Sequence, residues 1–248
     1  MGHALHLPLW DPPSVLRRLG EGIHLALPAE LTELRVGSGT SDVDVRVDHP
    51  TIAPMHATLE RLDESLRVRD AGAGETYEFD TRTDSFRLRN TFVVNVGDQF
   101  ALGTVRLMPL EARIASLVPI LERHAGSNAH VRIDGVLEAI TGARPLAISV
   151  KDTSSKEKLI RAIHAASPRR EYPLTFLERF PATAGPVDAV CTAGACGVMV
   201  VDLRGGAVPT SVFLDALTSG RYQLWPCIVV DPSSPQALAV AELNPYWL

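Results

Sequence analysis

Short runs of alternating apolar and polar residues fill the stretch from Leu34 to Leu110. Three runs are clear from their apolar members, which are Val43, Val45 and Val47, then Leu66 and Val68, and then Phe92, Val94 and Val96. Gly, Pro and Asp residues separate the runs at intervals of about eight to twelve residues. This pattern predicts an antiparallel β-sandwich. Its last strand is expected at Thr104–Met108 and is expected to end at Pro109, which has no N–H for a sheet ladder.

The chain before this stretch carries weaker patterns. Residues Ser14–Leu19 predict a short helix, and Ile23–Leu27 predict a strand that leads into the sandwich. We expect this N-terminal extension to pack against the sandwich.

A helical pattern follows the sandwich. The apolar residues of Glu111–His124 recur at helical spacing and are Ile114, Leu117, Ile120 and Leu121. They predict a linker helix that ends near Gly126, with a kink or a split at Pro119. We therefore expect a sandwich with its extension at residues 1–111, a linker helix at 112–130 and a second domain at 131–248.

The second domain shows apolar runs that alternate with helical patterns. Strands are predicted at Pro145–Val150, Pro173–Phe176, Gly197–Asp202 and Pro226–Val230. Helices are predicted at Ser154–Ala166 and Pro209–Leu217. This alternation indicates a parallel sheet with helices. The predicted fold class is α+β with two domains, an antiparallel β-sandwich followed by an α/β domain with a parallel sheet.

Length and composition narrow the possible functions. At 248 residues the chain has room for two domains, and its 46% hydrophobic and 21% charged residues are ordinary for a globular protein. A formal net charge of −5 provides no general attraction to nucleic acid, so direct DNA binding is not expected. No apolar run reaches the ~20 residues of a membrane helix, and the N terminus lacks the features of a signal peptide. We expect a cytoplasmic protein without membrane contact.

The cysteines are Cys191, Cys196 and Cys227. The spacing of the first two matches no common zinc motif, and an odd number without an export signal favours reduced, mostly buried thiols. We therefore expect no metal site and no cofactor.

The turn and core positions of the predicted sandwich come in the order Gly37, Asp42, Val45, His56-Ala57, Asp70, Gly97-Asp98 and Leu102-Gly103. This order resembles the forkhead-associated (FHA) family. The resemblance implies a β-sandwich whose loops at one end bind phosphothreonine peptides of another protein. It places the peptide-binding face of this chain at Arg35, Gly37, Ser38, Thr40, Ser41, Ala53, His56 and Glu75.

Both direct phosphate contacts of that family are absent. FHA domains use an Arg directly after the first Gly and the Ser of a Ser-x-x-His motif, but this chain has Ser38 and Ala53 at those positions. A charge-assisted hydrogen bond contributes about 1.5–3 kcal/mol, so the loss of two weakens binding by roughly 10²–10⁴-fold. Glu75 stands near the place of a family Asn and would repel a phosphate. His56 is expected to brace the loops.

A second resemblance covers the α/β domain. Leu159–Leu174 is similar to the segment after the phosphate loop in the AAA+ ATPase domain of sigma-54-dependent transcription activators. Cys196–Leu203 resembles the Walker B strand of that family, and Trp225–Asp231 resembles its sensor strand. The resemblance implies a degenerate, truncated AAA+ domain with a vestigial nucleotide site at Thr153, Ser154, Ser155, Lys156 and Asp202.

Two departures from the AAA+ pattern argue against nucleotide chemistry. The run Val150–Glu157 contains no glycine, although a phosphate loop needs glycines to bring its amides close to the phosphates. Leu203 stands where that family has its catalytic glutamate, and a leucine cannot activate water. No catalytic residue is therefore predicted.

Ordinary helix chemistry accounts for the same residues. Ser154 and Glu157 match a capping box that starts a helix, which would leave Lys156 in solvent on the first turn. Asp202 is then a turn residue at the end of a strand.

The leading hypothesis is a non-catalytic regulatory or adaptor protein that acts by protein-protein contact in bacterial signalling or transcription control. Its partner is another protein, such as a phosphoprotein or a signalling or transcription component. One alternative is a phosphothreonine-binding module downstream of a Ser/Thr kinase, with a weaker anion site rebuilt from Ser38, Thr40 and Ser41 and from Arg35 or Arg46. Another is a switch that retains nucleotide binding. We expect a monomer or a dimer.

Overall fold

The structure is a computed structural model that describes residues 10–126, 129–149, 153–177, 179–204, 209–230 and 246–247. The chain divides into two units between Ser116 and Leu117. This division falls within the segment predicted as a linker helix. The predicted domain ranges themselves stay predictions.

The first unit consists of two β-sheets. Its strands are β1 (Val15–Arg18), β2 (Ile23–Ala26), β3 (Glu33–Gly37), β4 (Val45–Arg46), β5 (Ala57–Arg61), β6 (Ser65–Asp70), β7 (Thr76–Asp80), β8 (Ser85–Leu88), β9 (Thr91–Asn95), β10 (Phe100–Leu102) and β11 (Val105–Leu110). One sheet has the order β2-β1-β11-β10-β7-β8, and the other has the order β4-β3-β5-β6-β9. The described pairings are antiparallel except for the short pair of β3 and β4.

Alternate residues of both sheets fill the space between them. The buried core includes Leu16, Leu34, Val36, Leu59, Leu66, Val68, Phe100, Leu102 and Leu107. The predicted antiparallel sandwich is confirmed.

The N-terminal extension is part of the sandwich. The predicted helix at Ser14–Leu19 is wrong, because Val15–Arg18 form β1, which pairs with both β2 and β11. Leu16 is fully buried in the core. Tertiary pairing therefore outweighs the local pattern. The strand predicted at Ile23–Leu27 corresponds to β2.

The last strand runs through Pro109 instead of ending there. The carbonyls of Arg106 and Leu110 accept hydrogen bonds from the β1 side at 3.0 and 2.9 Å. Because strand residues alternate, Pro109 faces the other neighbour, β10, whose pairing with β11 reaches only to Leu107. The missing N–H therefore removes no ladder bond.

The second unit contains a parallel sheet with helices. The division between the units falls within α1 (Ala112–Ala125). The elements after it are α2 (His130–Thr141), β12 (Leu146–Ser149), α3 (Thr153–Ala166), β13 (Leu174–Leu177), α4 (Ala184–Ala193), β14 (Val198–Asp202), α5 (Ser211–Thr218), β15 (Trp225–Val230) and β16 (Tyr246–Trp247). The strand order is β13-β14-β15-β12-β16, and the pairs are parallel. The predicted parallel sheet with helices is confirmed.

The helix α1 continues through Pro119 as one element, so the expected split does not occur. Among the described helices, none has both the length and the apolar character needed to cross a membrane.

Candidate functional site

Three loops and one turn meet at one end of the sandwich. We call this region the loop end; it comprises residues 38–44, 47–56, 71–75 and 103–104. Ser38 joins the first two loops, because its N–H donates to the carbonyl of Ala53 at 3.0 Å and its hydroxyl donates to the carbonyl of Ile52 at 2.8 Å. The N–H of Gly39 donates to the carbonyl of Pro54 at 3.0 Å. The loops are thus held together by their own backbones.

Gly37 permits this close approach. A Cβ at this position would lie 2.1 Å from the carbonyl oxygen of Pro54, and no side chain can be accommodated at that distance. A similar constraint applies at Gly103, whose φ is +54° and whose Cβ would lie 2.5 Å from the carbonyl oxygen of Thr51. Both glycines belong to the motif found in the sequence.

His56 lies beneath the loops, with only 1% of its surface exposed. Its Nδ1 accepts the N–H of Ala53 at 3.1 Å, and its Nε2 lies 3.2 Å from the carbonyl oxygen of Glu75. Both contacts are hydrogen bonds when the ring carries its proton on Nε2. The ring therefore links the β4–β5 loop to the β6–β7 loop.

Asp70 shapes the β6–β7 loop from within. Its carboxylate accepts the N–H of Gly72 at 2.7 Å, the N–H of Gly74 at 3.1 Å and the hydroxyl of Thr76 at 2.6 Å. Burial by itself would raise the pKa of Asp70, but these hydrogen bonds bring the pKa below its usual value.

Thr51 ties the β10–β11 turn to the same end. Its hydroxyl lies 3.0 Å from the hydroxyl of Thr104 and accepts the N–H of Thr104 at 3.1 Å. Sequence reasoning did not select Thr51, because only Gly103 of this contact belongs to a recognisable motif.

The arginines near the loop end are paired with aspartates. The Arg35 backbone N–H and Nε donate to Asp44 Oδ2 at 2.8 and 3.2 Å, and Nη2 donates to Oδ1 at 3.3 Å. These bonds lower the pKa of Asp44. Arg46 lies 3.6 Å from Asp48 in an exposed ion pair. Each of the two guanidiniums is therefore already paired with a carboxylate.

The structure brings most residues of the predicted peptide-binding face together at the loop end. Gly37, Ser38, Ala53 and His56 are joined by the bonds described above. Thr40 and Ser41 are exposed on the β3–β4 loop, and Glu75 is exposed on the β6–β7 loop, where its carbonyl also accepts the N–H of Gly103 at 2.7 Å. Arg35 lies on β3 and is directed to Asp44 by its ion pair.

A second cluster lies in the second unit, at the predicted vestigial nucleotide site. The Lys156 Nζ donates to Asp202 Oδ2 at 2.6 Å, and Lys156 is only 7% exposed. The prediction that Lys156 lies in solvent is wrong. β12 and β14 run parallel on either side of β15, so their carboxyl ends lie at the same edge of the sheet. The start of α3, which follows β12, therefore lies near the end of β14. A pattern of four neighbouring residues cannot reveal a partner 46 positions away.

Asp202 also binds Arg204. The Arg204 backbone N–H and Nε donate to Oδ1 at 3.1 and 3.0 Å, and Nη2 donates to Oδ2 at 2.9 Å. Burial opposes ionisation of Asp202, but the bonds from Arg204 and Lys156 hold its pKa far below the usual range. We call Lys156, Asp202 and Arg204 the Asp202 cluster.

Other parts of this predicted site lie outside what the structure describes. These are residues 150–152 and the side chains of Thr153, Ser154 and Ser155. The helix α3 begins at Thr153, one residue before the predicted cap, and Glu157 pairs with Arg161 at 2.6 Å.

The described residues contain no group of three or more His, Cys, Asp or Glu placed to hold a metal. All three cysteines are free; Cys191 and Cys227 are buried, and Cys196 is half-buried. Burial raises the pKa of Cys227 to about 12, which keeps this thiol protonated.

The model of the FHA domain family matches residues 34–103. Among curated proteins, none matches this chain. Solved structures with a similar fold include the FHA domain of CT664 from Chlamydia trachomatis, with 18% identity, a TM-score of 0.33 and coverage of 39% of this chain and 95% of that one. EmbR from Mycobacterium tuberculosis, solved with a low affinity phosphopeptide, has 16% identity, a TM-score of 0.33 and coverage of 40% and 24%. Rv1747 FHA-1 from the same organism has 19% identity, a TM-score of 0.31 and coverage of 41% and 99%.

The family match covers the strands and loops that carry Gly37, His56, Asp70 and Gly103. Residues 34–103 of this chain are therefore an FHA domain.

Proposed function

We propose that this chain is a non-catalytic adaptor whose FHA domain binds another protein through the loop end. FHA domains are phosphothreonine-binding protein-interaction modules. One observation carries the proposal: the loops are fully braced by Ser38, His56 and Asp70, while the nearby guanidiniums of Arg35 and Arg46 are paired with aspartates. The braced loops support recognition of a protein partner, and the pairing of both guanidiniums disfavours a phosphate as the group that is bound.

The missing contacts suggest a gain-of-function test. Replacing Ser38→Arg and Ala53→Ser together supplies the two phosphate contacts of the family, so we expect affinity for phosphothreonine peptides to rise by about 100-fold or more. Fluorescence anisotropy with a phosphothreonine peptide library and its unphosphorylated twins measures this change. Thr40→Arg with Ala53→Ser is the matched control, because it adds the same charge to an exposed position of the same loop.

The unmodified protein provides the decisive comparison. Our proposal expects each phosphorylated peptide to bind no more tightly than its unphosphorylated twin. A clear preference of the unmodified protein for phosphothreonine contradicts that expectation and favours the alternative of a phosphothreonine module downstream of a kinase.

That alternative has one observation in its favour. Arg46 is the register partner of Gly37, and its pair with Asp48 is exposed and spans 3.6 Å. Exposed pairs of this kind contribute little, so the guanidinium can turn toward a bound phosphate. Under this alternative, Arg46→Gln removes the preference for phosphothreonine, and Arg69→Gln, at an exposed position of β6, leaves it intact.

For the second unit we propose a degenerate AAA+ domain that serves as a scaffold in bacterial signalling or transcription control. The support is the parallel strand order and the meeting of Lys156 with Asp202 at one sheet edge. The alternative of a nucleotide-binding switch is disfavoured, since Lys156 is already paired. Saturable binding of a fluorescent ATP analogue with Mg²⁺, abolished by Lys156→Ala, would support the nucleotide-binding switch instead.

We further propose that the protein works in the cytoplasm as a monomer or a dimer.

A further inference from the structure

The loop end carries carboxylates and contains no Lys or Arg. Its acidic residues are Asp42, Asp44, Asp48 and Glu75. At its centre, the backbone bond between Ser38 and Ala53 joins two uncharged residues. The fixed charges that belong to the loops themselves are therefore all negative.

Two of these four carboxylates have a cation beside them. Asp44 accepts three bonds from Arg35, and Asp48 lies 3.6 Å from Arg46. The other two, Asp42 and Glu75, are exposed, and neither forms an ion pair with a residue that the structure describes. Asp42 acts on the Arg35 guanidinium electrostatically, without a bond to it. The carboxylates of Asp42 and Glu75 are thus open to a ligand.

The backbone beneath Glu75 is fixed although its carboxylate is exposed. The carbonyl of Glu75 accepts the N–H of Gly103 at 2.7 Å and lies 3.2 Å from His56 Nε2. His56 in turn accepts the N–H of Ala53, whose carbonyl accepts the N–H of Ser38 on the loop that carries Asp42. Because these loops are already ordered, little entropy is lost when a ligand reaches the two carboxylates.

A cationic side chain is the complement of such a surface. An ion pair between exposed groups strengthens binding by about two- to fivefold, so two carboxylates together can add roughly tenfold. A phosphate would instead face charges of its own sign. Charges at the rim of an interface select partners and set the salt dependence of binding more than they set its maximal strength.

We propose that Asp42 and Glu75 make the loop end select a protein segment that carries an Arg or a Lys at its centre. This rests on the proposed function, in which the loop end binds another protein, and adds the chemistry of the segment that is bound. Phosphorylation of that segment weakens the complex.

The test uses peptide pools on the immobilised full-length chain. The flanking residues of each pool are random, and the central residue is Arg, Lys, Gln, Glu or phosphothreonine. We expect the Arg and Lys pools to be recovered about tenfold more than the Gln pool, and the Glu and phosphothreonine pools to be recovered less than the Gln pool. Added salt should reduce the difference between the Arg and Gln pools, because exposed charges are screened.

A double variant separates the two carboxylates from the general negative charge of the chain. Asp42→Asn with Glu75→Gln keeps the size of both side chains, and recovery of the Arg and Gln pools should then agree within about twofold. Asp63→Asn with Asp84→Asn is the matched control, since it removes two charges from exposed turns of the same sandwich and should retain the preference. A preference that survives in the double variant, or that the control loses, overturns the proposal.

The amide signals of Gly39 and Gly72 show where the recovered peptides bind. We expect both signals to shift in ¹⁵N-labelled full-length chain when peptides of the Arg pool are added. Shifts of both signals with equal recovery of the Arg and Gln pools overturn this proposal and leave the proposed function standing. Binding without such shifts, recovery of no pool, or a preference for phosphothreonine contradicts the proposed function as well.

Discussion

A single carboxylate, that of Asp70, organises the loop between β6 and β7. It accepts two backbone N–H groups and one hydroxyl, and these bonds exist in full only while the group is ionised. Because the folded-state pKa of Asp70 lies below its usual value, this group adds stability above the unfolded pKa of about 4. The contribution is lost as the pH falls through the lower, folded-state pKa.

This predicts a measurable effect of Asp70→Asn. The amide loses charge and turns an NH₂ group toward donors, so we expect the free energy of unfolding at pH 7 to fall by about 1–3 kcal/mol. The loss of stability of the variant below pH 4 should also be shallower than that of the unmodified protein. Urea unfolding at a series of pH values checks both, with Asp63→Asn in an exposed turn as the control. Equal pH profiles for Asp70→Asn and the unmodified protein contradict the prediction.

The sequence motif identified the role of Gly37 correctly but not the environment of Lys156. Gly37 was recognisable from its motif, because a close backbone approach leaves no alternative residue. The capping-box pattern predicts a solvent-exposed Lys156, because the same pattern begins many helices at protein surfaces. Its burial depends on which strands are neighbours in the sheet, and a linear motif does not contain this information.

At the scale of elements, Arg61 at the end of β5 holds the N-terminal hairpin of β1 and β2. Its Nε donates to the carbonyl of Leu31 at 3.1 Å, and its Nη2 donates to those of Leu27 and Pro28 at 3.0 Å each, while Nη1 contacts the carbonyl of Pro13. Each of these acceptors is a backbone carbonyl. Desolvation lowers the pKa of Arg61, but a guanidinium keeps its charge at any ordinary pH.

Loss of this guanidinium should loosen one hairpin in particular. We expect Arg61→Ala to lower the free energy of unfolding by about 2–3 kcal/mol, because four buried or half-buried carbonyls lose their donor. Amide hydrogen exchange should accelerate in β1 and β2 before it does in β5 and β6. Arg69→Ala, on the exposed face of β6, is the matched control and should change neither quantity. Uniform acceleration across the sandwich would show that Arg61 has no special role for the hairpin.

Elements with a regular pattern were the ones that the sequence predicted well. The four core strands of the parallel sheet and α3 lie within a few residues of their predicted positions. The helices α2 and α4 were not predicted, since Gly135 interrupts the first and Gly185 and Pro186 stand at the start of the second. For β1, six residues with two possible periods were too few to separate a helix from a strand.

At the scale of the whole molecule, each of the two expected phosphate sites has, among the described residues, lost or paired the cation that its motif would supply. At the loop end the family's arginine is replaced by Ser38, and in the second unit Lys156 is bound to Asp202. The two changes differ in kind. One removes the cation and the other neutralises it within the fold, so the two sites should respond to different substitutions.

Neutralisation of Lys156 also bears on assembly. We propose above that the second unit is a degenerate AAA+ domain. AAA+ ATPases form rings through a nucleotide shared by neighbouring subunits, and under that proposal the pairing of Lys156 with Asp202 disfavours a shared nucleotide here. We therefore expect sedimentation equilibrium to give the mass of the chain, 26.8 kDa, or twice that mass, with no change on addition of ATP and Mg²⁺. Lys156→Met should leave this distribution as it is in the unmodified protein. A shift to a larger species that requires ATP, and that Lys156→Met abolishes, would mean that Asp202 releases Lys156 to a nucleotide and that the second unit is still an assembling ATPase relative.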